Sequence, residues 1–205
     1  EIGSLLLNAA TVQPSLDLAL GYVDRAQELI GERFVVFQFR AETHLRRFSE
    51  TNEVEHAEAA RQAAVRALEE ARSRSATVSS EQALGAQQAA HLVMTALVHL
   101  GRPGEAIGIL DSAMAVGPDP QAGIALRRTF LVAREKDVTT LRRAVVDLVG
   151  RISRRRELMA ESGAVGDVLL RVDALVRQVA ELVATADGDL VARAAAVCNR
   201  DAWDL

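Results

Sequence analysis

From residue 16 onward, apolar side chains return every three or four positions. Leu16, Ala19, Leu20, Val23, Ala26, Leu29 and Ile30 follow this rule, which gathers them on one face of a helix because 3.6 residues complete a turn. Pro14 and Ser15 stand before that helix and Gly31 after it. The segment from Arg33 to Phe48 predicts a second helix and holds Phe34, Phe37, Phe39 and Phe48, four of the five phenylalanines. It reads as a packed core helix, not an aromatic binding box. After the polar break at residues 50–53, Val54 to Arg74 carries alanine at 57, 59, 60, 63, 64, 67 and 71, side chains small enough to let helices approach closely. Ser73 to Ser80 has the composition of an exposed loop, with Ser80 as the expected cap of a helix from Glu81 to Leu100.

That helix ends at Gly101-Arg102-Pro103-Gly104, a turn of residues that permit positive φ or fix φ near −65°. Glu105 to Val116 follows as an antiparallel partner and stops at Gly117-Pro118-Asp119-Pro120. Beyond it the spacing changes. Val138, Leu141, Val145, Leu148 and Ile152 form one heptad seam, and Val168, Val172, Leu175, Val179 and Leu182 form another. The break at Glu161-Ser162-Gly163 predicts an antiparallel hairpin that buries both seams internally. The alternative is a homodimer through helices 138–159 and 164–184. Asp187-Gly188-Asp189 is expected as a turn, with Asp189 capping a short last helix that carries Val191, Ala195 and Cys198. Trp203 would dock as a lid on that helix or mark contact with following chain.

Composition agrees with an all-α chain. Alanine, leucine, valine, arginine and glutamate dominate, aromatics are 3%, and glycine and proline are few, a balance poor for a β-sandwich. The 205 residues allow one compact domain or a short helical array. The single cysteine excludes an internal disulfide and a thiolate metal cage. No uninterrupted apolar run approaches membrane-spanning length, and Leu5 to Leu7 lacks the basic flank of a signal peptide. A cytoplasmic location is the default. A first residue that is glutamate suggests a processed product or a segment of a longer protein. Net charge is −4 but uneven: −6 over residues 1–120, +7 over 121–156 and −5 over 157–205. Such a pattern lets neighbouring helices attract one another, or steers an anionic partner.

One stretch has a more specific character. In GRPGEAIGILDSAMAVGPD, the positions Gly101, Ala106, Leu110, Ala113 and Pro118 match the glycine, alanine, large apolar residue, alanine and proline of the tetratricopeptide repeat family, which Ala86 to Asp119 resembles. The preceding helix departs from the family pattern, with Ala90, Val93, Met94 and Leu97 at its signature positions. Looser echoes lie upstream at Ala19, Val23 and Ala26 and at Ala60, Ala64 and Ala67. Strict similarity covers 34 residues and loose similarity residues 15–118. The resemblance implies antiparallel helical hairpins stacked as a tetratricopeptide-like α-solenoid over residues 1–119. Residues 120–205 are then a heptad-patterned helical hairpin with a terminal helix, packed on the first region.

The chemistry is sparse. His44, His56, His91 and His99 show no HExxH spacing, and His56-Ala57-Glu58 lacks the cysteines that would complete a zinc deaminase site. Nucleophile-elbow, dinucleotide and phosphate-loop motifs are missing, so no catalytic residue, metal or cofactor is assigned and an enzyme is disfavoured. Carboxylate pairs such as Glu69-Glu70 and Glu53-Glu55 read as solvated helix edges, and Cys198 as a small core residue. The resemblance places Gln88, His91, Thr95 and His99 on the groove-facing side of a repeat's first helix, with Glu42 and Arg46 at comparable positions one repeat earlier. These are the expected contacts to a peptide or partner protein. Arg143, Arg151 and Arg154 lie opposite the first heptad seam, as a solvated face or as a surface for an anionic partner. Nucleic acid is disfavoured, since only Phe130 is at hand for base stacking. The expected role is therefore a helical-repeat interaction scaffold. The alternatives are a sensor or regulatory segment of a larger regulator or ATPase, and nucleic-acid binding through the arginine-rich middle.

Overall fold

The computed structural model describes residues 2–13, 15–73, 80–116, 121–163 and 166–200. Among them lie ten α-helices and no strand: α1 (Ile2–Thr11), α2 (Leu16–Ile30), α3 (Phe34–Thr51), α4 (Val54–Ser73), α5 (Ser80–His99), α6 (Pro103–Val116), α7 (Ala122–Glu135), α8 (Val138–Glu161), α9 (Asp167–Val183) and α10 (Asp187–Arg200). The all-α expectation holds for this part of the chain. Two compact units divide it, residues 1–109 and 110–205, with the division inside α6. The expected roles of Pro118, of the loop at 74–79 and of Trp203 lie outside the described residues, as does the expected cap by the Ser80 side chain.

In the first unit, α1 packs on α2, α2 on α3, α3 on α4 and α4 on α5, while α3 also touches α1 and α5. The α1 helix was not anticipated from sequence. It buries Gly3, Leu7 and Ala10, and the contact is close because a Cβ on Gly3 would stand 2.4 Å from Ile30 Cγ2. In α2, Ser15 caps the first turn by accepting the Leu18 N–H at 3.4 Å. Its predicted face is buried at Leu16, Ala19, Val23 and Ala26, but Leu29 is 49% exposed. Among the α3 phenylalanines only Phe37 is deeply buried; Phe34, Phe39 and Phe48 are partly covered. Asn52 ends α3 in the left-handed region, its N–H donating to Phe48 O at 2.7 Å. Every α4 alanine named above except Ala59 is buried, so small side chains fill the contacts with α3 and α5. The predicted stop of α5 is a Schellman motif. Gly101 has φ 69°, its N–H donates to Val98 O, and the Arg102 N–H donates to Leu97 O.

The second unit contains an antiparallel four-helix arrangement in which α7 packs on α8, α8 on α9, and α10 on α7, α8 and α9. Asp137 caps α8, its carboxylate accepting the N–H groups of Thr139 and Thr140. Both heptad seams are spent within one chain. Leu141, Val145, Leu148 and Ile152 of α8 and Val172, Leu175, Val179 and Leu182 of α9 are at most 2% exposed. Val168 at the start of the second seam is the outlier at 49%. A homodimer through helices 138–159 and 164–184 therefore has no support, because the side chains it needs already face α7 and α10. The start of the last helix needs correction as well. The corner falls at Thr185-Ala186, since Ala186 O accepts the N–H groups of Asp189 and Leu190, so Asp187 to Asp189 form the first turn of α10 and not a preceding turn.

Candidate functional site

Two contacts fix how α3 and α5 lie. The Phe34 ring sits 3.3 Å from where a Cβ on Gly85 would be, and the Phe48 ring meets His99 at 4.6 Å between centres, tilted by 44°. Phe34 precedes Phe48 on α3 as Gly85 precedes His99 on α5, by the same fourteen residues. The two helices therefore run side by side in the same direction, with α4 returning between them. Gly85 is buried and leaves the ring its space.

The residues expected to contact a peptide or partner protein fall on this pair of helices. Gln88 and His99 are exposed, whereas His91 and Thr95 are half-buried. Thr95 Oγ1 donates to its own helix at His91 O, 3.0 Å away. On α3, Glu42 is exposed and accepts from Gln38 Nε2 at 2.9 Å. Arg46 does something the sequence did not suggest: its guanidinium donates to Thr11 O at 3.2 Å and Gln13 O at 2.9 Å, holding the carbonyl groups at the end of α1. Gln88, His99 and Glu42 are thus exposed, Glu42 while accepting from Gln38, and Thr95 and Arg46 are engaged within the unit.

Sequence reasoning missed a cleft of about 660 Å³ between α2, α3 and α4, floored by Phe37, Ala59 and Ala63. Arg40 crosses it, donating to Asp24 at 2.7 Å and Gln27 at 2.9 Å. Arg66 lies over the Phe37 ring at 5.8 Å and stands 3.7 Å from Glu32. His44 lines the same cleft and meets His56 of α4, Nδ1 to Nδ1, at 3.2 Å. The ring centres are 5.5 Å apart, which leaves room for little more than one ring radius on each side. The two nitrogens accordingly point at each other, and the contact is an N–H···N hydrogen bond along the ring edges instead of a face-to-face stack. Glu53 Oε2 is 3.2 Å from His56 Nε2, where a lone pair would repel the carboxylate, so Nε2 carries the proton. With His56 neutral, its Nδ1 accepts from His44 Nδ1 and His44 Nε2 is left as an acceptor. Burial first, then His56 and Arg40, lower the His44 pKa to about 4 against the pull of Asp24, keeping the ring neutral near pH 7. His44 and His56 sit on different helices, so no spacing along one helix reveals the pair.

Five of the ten basic residues in the middle of the chain pair with carboxylates. Arg151 pairs with Asp147 at 2.9 Å and Arg154 with Glu157 at 3.0 Å on the same helix, while Arg143 is exposed. Across helices, Arg156 meets Asp173 at 2.9 Å, Arg142 meets Asp187 at 2.6 Å, and Arg128 pairs with Asp111. Cys198 is buried in the core of the second unit, which pushes its thiol up to about 12. Among the described residues, no group of three or more His, Cys, Asp or Glu is placed to hold a metal ion, and no helix is long and apolar enough to cross a membrane. Set against family models, curated proteins and solved structures, the chain matches none.

Proposed function

We propose that the chain is a helical-repeat interaction module that captures an extended peptide or partner segment along α5 and its neighbour α3. Gln88 and His99 on one helix and Glu42 on the other supply the hydrogen bonds, and the Phe48 ring supplies apolar contact beside His99. The observation that carries this reading is the same-direction, side-by-side placement of α3 and α5, held by Phe34 on Gly85 and Phe48 on His99. A tetratricopeptide-like array sets the first helices of successive hairpins in that way and lines its groove with them. Peptide capture is preferred to nucleic-acid binding through the arginine-rich middle, because five arginines there, at 128, 142, 151, 154 and 156, have carboxylate partners.

A displayed random-peptide library panned on the full chain tests this. Peptides enriched on the wild type should lose at least about tenfold in affinity on a Glu42→Ala, Gln88→Ala, His99→Ala triple variant, the loss of one or two hydrogen bonds. Enriched peptides that bind the triple variant equally well would place the contact elsewhere. Failure to enrich any sequence would remove peptide capture altogether.

A further inference from the structure

The outward faces of α3 and α5 carry a single full charge. From Gln82 to His99, α5 holds no Asp, Glu, Lys or Arg, and its open side shows Leu84, 56% exposed, followed by Gln88, Thr95 and His99. On α3 the charges are sorted by side. Arg40 turns to the cleft, and Arg47, two turns on, lies on that side of the helix. Arg46 holds the end of α1, and Glu50, one turn further, follows it. Glu42 stands on the side left open between Phe34 and Phe48, which meet α5, and Arg46, which meets α1. Its Oε1 accepts from neutral Gln38 at 2.9 Å, and among the described residues no cation pairs with it.

We infer that the segment captured along this face carries one basic residue, held by Glu42, and an apolar residue four positions away resting on Leu84, with no other charge between them. This rests on the peptide reading above and gives it a register. Because α3 and α5 run in the same direction with Phe34 against Gly85, levels along both helices follow one ruler of about 1.5 Å per residue. Glu42 is eight residues beyond Phe34, and Leu84 is one before Gly85. The two side chains are therefore about 13 Å apart along the groove. An extended chain spans that length in four residues at about 3.3 Å each. Four is even, so the two peptide side chains point to the same face of the extended chain and both reach the helices. Gln88 falls between these levels, roughly 7 Å short of Glu42, where its amide faces peptide backbone and can both donate and accept. A basic residue is selected because an acidic one would oppose an uncompensated carboxylate. The net −6 over residues 1–120 draws a cation in the same sense.

The sequences enriched by panning on the full chain test this. They should share a Lys or Arg with an apolar residue four positions to one side. An enriched peptide remade with Met at the basic position should bind the wild type about fivefold more weakly, the worth of one exposed ion pair. On Glu42→Gln the same replacement should cost nothing, because the partner charge is already gone. Panning on Glu42→Arg should select Asp or Glu at that position instead. Enriched peptides without the basic residue, or a Met penalty that persists in full on Glu42→Gln, would overturn the inference while peptide capture stands. A library that yields no binder at all would overturn both.

Discussion

Arg142, on the first turns of α8, binds the corner between α9 and α10. Its guanidinium donates to Val183 O at 3.0 Å, to Thr185 O at 2.5 Å, and to Asp187 Oδ1 at 3.0 and 2.6 Å. The Val183 carbonyl closes α9, where helical geometry leaves such groups without partners, and the Thr185 carbonyl lies in the corner that follows. Thr185 is only 6% exposed, so water replaces the lost bond there poorly. Arg142→Ala should remove about 1 kcal/mol for each carbonyl. The exposed pair with Asp187 adds at most ~1 kcal/mol, giving ~2–3 kcal/mol in total. Arg142→Lys keeps the charge but not the fork of donors and should lose about half of that. Arg143→Ala next door is the control, since Arg143 is exposed, and should change stability by no more than ~0.5 kcal/mol. Two units can unfold separately, so a single melting point is a blunt probe. Amide exchange of α9 and α10 under native conditions reads the local cost directly, as a loss of protection of roughly 30- to 150-fold. If Arg142→Ala and Arg143→Ala exchanged alike, the corner would not depend on this guanidinium.

Two further outcomes follow from single groups. His44 takes up its proton at about 4 in the fold and 6.5 when free, so the unfolded chain binds more protons between those values. Its contribution to stability is complete above about 6.5 and falls as pH drops towards 4, by ~1–2 kcal/mol once its partial exposure is allowed for. Denaturant titrations of wild type and His44→Gln at pH 7 and pH 4.5 check this; parallel pH dependence in the two would refute it. Cys198, with its thiol raised to about 12 by burial, should react with an alkylating reagent at pH 8 only as fast as the second unit opens. Rapid labelling that denaturant does not accelerate would show the thiol to be accessible.

Periodicity was readable wherever a helix had one buried face. The α2 positions Leu16, Ala19, Val23 and Ala26 and nearly all of both heptad seams are buried as their spacing demands, and Gly101 adopts the positive φ expected of its turn. Two helices escaped because they lack that contrast. In α1 apolar residues lie on both sides, and α7 buries three consecutive residues, Ile124, Ala125 and Leu126, so neither shows a clean face. The misplaced start of α10 came from giving weight to Asp187-Gly188-Asp189, whereas the first helical carbonyl belongs to Ala186. For the candidate site, spacing put Gln88, Thr95 and His99 on one helix face, but what those side chains touch is a tertiary matter. Thr95 turned back on its own backbone, Arg46 crossed to α1, and the His44–His56 pair formed between helices. None of these partners lies within one turn in sequence, except the carbonyl that Thr95 meets.

The proposed face depends on α3 and α5 lying parallel with Phe34 against Gly85. A double-mutant cycle on unfolding free energy tests that most directly. Gly85→Val should cost ~1–3 kcal/mol by crowding the ring, and Phe34→Ala in the same chain should relieve at least ~1 kcal/mol of it. Phe48→Ala, at the other end of α3, should relieve none. Strictly additive effects of Gly85→Val and Phe34→Ala, or relief by Phe48→Ala instead, would contradict the parallel arrangement and with it the partner-binding face.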